Sequence, residues 1–148
     1  MKKILLLILA FALIVTACGT KKVESKYHFG YDLEFAKNEF NIPNFEIVLE
    51  NERAIRFGNE NITITFSLMK DSKYIDAIYV CSLSKEEAIE CLEKVDKFMD
   101  IYTDDCGGID YLKELNDLGA ETLEDIQFGY IPDYDGKNCM LEIIKYEH

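Results

Sequence analysis

The sequence predicts an α+β domain: an antiparallel sheet of about four to six strands packed on two helices, with a short N-terminal helix. Three observations carry this. Strand-like runs are grouped between Phe45 and Cys81, two stretches of helical spacing come next between Ser84 and Leu118, and two further strand-like runs close the chain from Ile126 to Tyr146. Strands and helices segregated in this way, without a regular βαβ alternation, favour an antiparallel sheet over a nucleotide-binding α/β fold.

Leu33, Ala36 and Phe40 have helical spacing, and Asn41-Ile42-Pro43 ends that pattern because proline disfavours helix in the residue before it. Phe45, Ile47 and Leu49 alternate with Glu46, Val48 and Glu50 in a first strand, and Asn51-Glu52 turns the chain into a second from Ala54 to Phe57. Gly58-Asn59-Glu60-Asn61 makes the next turn. Ile62 to Leu68 then alternates without a fault, with its large apolar groups on one face. Lys70-Asp71-Ser72-Lys73 leads into a fourth strand from Tyr74 to Cys81. The sum is a meander with one wet face.

Ser84 and Glu87 have the spacing of a capping box, in which hydroxyl and carboxylate satisfy open amides of a first helical turn. Ala88, Cys91, Leu92, Val95, Phe98, Met99 and Tyr102 form an apolar stripe behind it, predicting a helix laid across the sheet. Leu112, Leu115 and Leu118 predict a second helix from Ile109 to Leu118, with Gly119 ending it in a left-handed turn. Ile126 to Tyr130 and Cys139 to Tyr146 then form a hairpin around Pro132 to Asn138.

The chain begins with Lys2 and Lys3 and an aliphatic run from Ile4 to Val15. About a dozen apolar residues are too few to cross a hydrocarbon core of ~30 Å, so this reads as an export signal rather than a membrane span. It ends in Val15-Thr16-Ala17-Cys18, which resembles the lipobox of bacterial lipoproteins: an aliphatic residue, two small residues, then a cysteine. Small side chains let an extended backbone enter a narrow protease cleft, and the thiol is the nucleophile that receives a diacylglyceryl group. The resemblance implies cleavage before Cys18 and a covalent lipid on its sulfur. It also implies a lipid-anchored place at the cell membrane or outer membrane, with the domain outside the cytoplasm. Two acyl chains suffice for stable anchoring where one is marginal. Gly19 is not the aspartate that signals inner-membrane retention in some two-membrane bacteria. The expected organisation is therefore 1–17 signal peptide, 18–30 lipidated cysteine and flexible tether, and 31–148 a single domain.

The formal charge of the 148 residues is −12, and residues 1–17 hold two lysines and no acid, so the remainder of the chain is more acidic still. Such a field repels nucleic acid and anionic headgroups, and leaves the lipid as the membrane contact. Nine tyrosines and nine phenylalanines supply ample surface for a core. The later cysteines, Cys81, Cys91, Cys106 and Cys139, are disulfide candidates with three pairings open.

Chemistry-bearing motifs are sparse. Neither GxxxxGK[ST] nor GxGxxG is present, which sets aside phosphoryl transfer and dinucleotide binding. His28 lies beside the tether and His148 is the final residue, and no GxSxG elbow accompanies them. With 28 acids, no spacing marks two as a catalytic pair. Asp133-Tyr134-Asp135-Gly136-Lys137-Asn138 resembles part of a calcium loop, with Asp133, Asp135 and Asn138 as the oxygen ligands. The same Asp-Gly is the commonest hairpin turn signal, and the bidentate glutamate is missing. The sequence therefore points first to an envelope lipoprotein that binds a protein or peptide. A carboxylate-based hydrolase is the alternative, and a calcium-responsive module comes third.

Overall fold

The computed structural model describes residues 22–23, 28–69, 71–101 and 106–145. Cys18, the signal segment, Tyr102 and His148 lie outside the described residues. No helix among the described residues is long and apolar enough to cross a membrane.

Helix α1 (Leu33–Glu39) begins where Asp32 accepts a hydrogen bond from the Phe35 amide at 2.8 Å, and ends at Phe40, whose backbone is extended. Strands β1 (Glu46–Asn51), β2 (Ala54–Gly58), β3 (Ile62–Ser67) and β4 (Ala77–Ser82) continue the chain as an antiparallel meander. Two asparagines shape its first turns. The Asn51 side-chain oxygen accepts from the amides of Arg53 and Ala54 at 2.9 and 3.0 Å, and Asn59 does the same for Asn61 and Ile62.

Helix α2 (Lys85–Met99) bears the expected stripe: Ala88, Cys91, Leu92, Val95 and Met99 are buried, with Ile89 beside them. Its cap differs from a reciprocal box. Ser84 accepts from the Glu87 amide at 3.1 Å, but the Glu87 carboxylate takes the buried Ser82 hydroxyl at 3.1 Å, and that hydroxyl in turn accepts from the Ser84 amide at 3.3 Å. The last residue of β4 thus completes the cap of the next helix.

Helix α3 (Gly108–Glu114) is shorter than its leucine spacing suggests. It stops at Leu115, ahead of Asn116 and Asp117, both poor helix formers, and Leu118 is 72 % exposed. Gly119 opens a strand instead of closing a helix. This strand, β5 (Gly119–Leu123), pairs with β6 (Ile126–Ile131) across a two-residue loop in which Glu124 has a φ of 56°. Strand β7 (Cys139–Lys145) completes a seven-stranded sheet of order β1-β2-β3-β4-β7-β6-β5. The expectation of four to six strands is corrected by β5. Its sequence, Gly-Ala-Glu-Thr-Leu, has no run of alternating apolar residues, and it forms because β6 offers a free edge.

Two meanders, β1 to β4 and β5 to β7, therefore meet at the β4–β7 seam, where Ala77 is opposite Ile144 and Ser82 opposite Cys139. Ile55, Phe57, Ile64, Phe66, Ile78, Val80, Phe128, Leu141 and Ile143 share one face by register and form the core with the helices. Phe40 is its aromatic hub, with ring centroids 5.0 Å from Phe57, 4.9 Å from Phe66 and 5.0 Å from Phe98.

Packing reaches back into the segment expected as tether. Phe29 is buried and donates its amide to the Ile75 carbonyl at 2.8 Å, and the Val23 amide reaches the Gly30 carbonyl at 2.9 Å. Gly30 is required there: its φ is +89°, and a Cβ would stand 2.6 Å from the Val23 carbonyl oxygen. The His28 ring packs on Tyr74 at 4.5 Å, and its Nδ1 accepts from the Gly30 amide at 3.0 Å, a bond that only the unprotonated nitrogen can make. Burial, and then the nearby Lys145, lower the His28 pKa from its ordinary 6.5, with Asp76 pulling the other way. A depressed pKa contributes stability that is present above 6.5 and is lost as pH falls through the lower folded value. Stability measured by urea unfolding is thus expected to drop as pH falls below 6.5, and His28→Asn, which keeps an acceptor and does not titrate, should flatten that drop. An identical slope in the variant would contradict this account.

Candidate functional site

Among the described residues Cys81, Cys91, Cys106 and Cys139 are free thiols. Register explains why the two on neighbouring strands do not join. Cys81 stands opposite Met140 and Ser82 opposite Cys139, so Cys81 and Cys139 are diagonal neighbours whose side chains leave opposite faces of the sheet. Cys91 lies in the core beneath α2, where burial pushes its thiol up to about 11, and Cys106 precedes α3 with its thiol also raised by burial. Burial likewise raises Cys81 and Cys139. Thiols held protonated in this way are poor nucleophiles.

Asp133, Asp135 and Asn138 fall in the β6–β7 loop, where Asp135 and Asn138 bond to each other. Asp135 Oδ1 accepts from the amides of Lys137 and Asn138 at 3.1 and 2.8 Å, and its Oδ2 accepts from the Asn138 side chain at 2.7 Å. The bond from the Asn138 side chain, foremost among these, holds the Asp135 carboxyl below the usual range. Both carboxylate oxygens are engaged in shaping the loop, with Gly136 at a φ of +80°. Among the described residues no group of three or more His, Cys, Asp and Glu side chains is placed to hold a metal ion.

The surface feature that stands out is β1. All six of its residues are exposed, and Ile47, Val48 and Leu49 stand at 43, 56 and 37 %. It forms one border of the sheet, paired with β2 on its inner side and with no described strand on its outer side. The pairing slips between Ile47 and Leu49, where Val48 is the extra residue of a bulge. Glutamates bracket the apolar triplet: Glu46 and Glu50 within the strand, Glu52 in the turn beyond it.

Beside β1 lies a cleft of about 280 Å³, lined by Ile55 and Leu68 among apolar residues, by Asp32, Glu34, Glu50 and Glu52, and by Lys37 and Lys73. Glu50 is paired with Lys37 at 2.7 Å, which raises the lysine pKa, and Asp32 caps α1. Glu46 and Glu52 have no basic side chain within 4 Å among the described residues. Carboxylate hydrolysis would need one acid kept protonated near neutral pH. Asp76, whose carboxyl burial pushes upward, does not line the cleft, and its Oδ1 accepts from the Met69 amide at 2.6 Å.

No family model, no curated protein and no solved structure matches the chain. Its chemistry is that of an exposed strand edge with apolar side chains at the centre, acids at the ends and an acidic cleft beside it. An extended polypeptide can use such an edge, since main-chain amides and carbonyls supply hydrogen bonds and alternate side chains supply selectivity. Sequence patterning alone makes β1 a half-buried strand and passes over this edge. The signal was there: Val48 breaks the alternation that β3 keeps without fault.

Proposed function

We propose that this protein is a lipid-anchored lipoprotein of the cell envelope, whose acidic α+β domain is an interaction module that binds a protein or peptide along the outer edge of β1. The anchor rests on the lipobox at Val15-Thr16-Ala17-Cys18. The binding surface rests on the exposure of Ile47, Val48 and Leu49 on a border strand. An edge strand with exposed apolar side chains is one that proteins ordinarily cover, shorten, charge or bulge, because it templates pairing with another chain; β1 has the bulge at Val48, with Ile47 and Leu49 in register with β2 on either side of it. Here the charge sits at the ends and the centre stays apolar.

Two measurements on one set of cells test this. A photo-crosslinking amino acid at Val48 is expected to give a discrete adduct in the envelope, while the same group at Leu118, more exposed but outside any strand, gives none. Intact mass should show a diacylglyceryl group on a fragment beginning at Cys18, lost in Cys18→Ala. Equal labelling from both crosslinker positions would remove β1 as the binding surface, and an unmodified, freely exported chain would remove the anchor.

A further inference from the structure

We infer that the partner of the β1 edge is an extended segment rich in lysine or arginine, which adds to the sheet as an eighth strand. This rests on the reading of β1 as the binding surface and narrows it to one chemistry. The alternative occupant closest to hand is a second copy of the chain, and the sequence of β1 argues against it. Antiparallel pairing of two β1 strands centred on Val48 sets Glu46 of each against Glu50 of the other, and like charges directly opposite one another across a strand pair are destabilising. Glu46, which makes no ion pair among the described residues, favours a strand with a basic side chain at that place, whereas Glu50 is already held by Lys37.

The surroundings add to the bias. Glu46 and Glu52 make no ion pair within 4 Å among the described residues, Glu34 lines the adjoining cleft, and the chain as a whole carries −12. Of the basic groups near β1, Lys37 is paired with Glu50, while Lys73 and Arg53, whose guanidinium donates to the carbonyls of Leu68 and Met69, keep their charge but are outnumbered by the acids Asp32, Glu34, Glu46 and Glu52. A basic strand would also approach faster than a neutral one, because the field of the domain concentrates cations near its surface. Ile47, Val48 and Leu49 give its apolar side chains a place to rest.

The test uses the full chain and fluorescence anisotropy with three labelled peptides. One alternates lysine and valine, one alternates glutamate and valine, and the third is the lysine peptide N-methylated along one edge. The lysine peptide is expected to bind, the glutamate peptide not, and N-methylation to weaken binding about tenfold or more by removing donors to the β1 carbonyls. Glu46→Lys with Glu52→Lys should weaken the lysine peptide about tenfold and admit the glutamate peptide. A misfolded variant would lose both, and Glu46→Gln with Glu52→Gln, expected to give an intermediate loss for the lysine peptide, guards against that case.

Equal binding of lysine and glutamate peptides overturns the basic partner. An unaffected N-methylated peptide overturns strand addition. Self-association that Val48→Lys abolishes identifies a second copy as the occupant and overturns the inference too. If no peptide binds but the Val48 crosslink appears, the inference falls while β1 remains the binding surface; if both are missing, both readings fall.

Discussion

Phe40→Ala is expected to lower the free energy of unfolding by about 3–5 kcal/mol, the cost usual for removing a buried aromatic ring. Phe40 is nearly enclosed and touches Phe57 and Phe66 on the sheet and Phe98 on α2, in edge-on arrangements with interplanar angles of 63°, 80° and 63°. Each such pair contributes beyond its buried area. The site cannot collapse easily, because the neighbours are held by separate elements: two adjacent strands and a long helix. Truncation would leave a void where α1, the first two inner strands and α2 meet. Urea unfolding should show a lower midpoint with an unchanged slope, and a loss below about 1 kcal/mol would mean that the ring cluster does not hold these elements together.

Gly108→Ala is expected to cost about 1–3 kcal/mol, although it adds only one methyl group. A Cβ at this position would lie 2.2 to 2.6 Å from three atoms of the Phe128 ring, which is itself fully buried on β6. Neither partner can step aside: Gly108 is the first residue of α3, and Phe128 is fixed between the helix and the sheet. Coupling distinguishes this clash from a loss of helix propensity, since alanine is the better helix former. Phe128→Ala alone should cost about 3–5 kcal/mol, and the double variant less than the two single costs together, because the new methyl then occupies space the ring has left. Strict additivity in a double-mutant cycle would refute the contact.

The parts of this fold that could be read from sequence are those whose pattern answers to one local cause. Strand β3 alternates because one face meets the core, α2 shows its stripe because one side meets the sheet, and Asp135-Gly136 reads as a turn because the carboxylate can satisfy its own loop amides. The parts that could not be read depend on what lies next door. Gly119 to Leu123 becomes a strand because of the edge of β6, and nothing within those residues announces it. The spacing of four cysteines says little until register places Cys81 and Cys139 on opposite faces. The candidate site shares this character. Glu46 to Glu50 looks like any half-buried strand until the order of the sheet puts it at the border with its apolar residues in water.

The β4–β7 seam has a consequence for the order of assembly. A chain emerges N-terminus first, from a ribosome or from an export channel, and contacts between distant segments must wait for loop closure. The first meander can form from local pairings, yet β4, with Ile78 and Val80 destined for the core, then has one side unpaired until Cys139 to Lys145 arrive. For that interval the apolar strand at the middle of the finished sheet is a temporary margin, open to wrong partners. Release of the chain before β7 is made would leave it so permanently, and the centre of the molecule is thus the last part to become safe from aggregation.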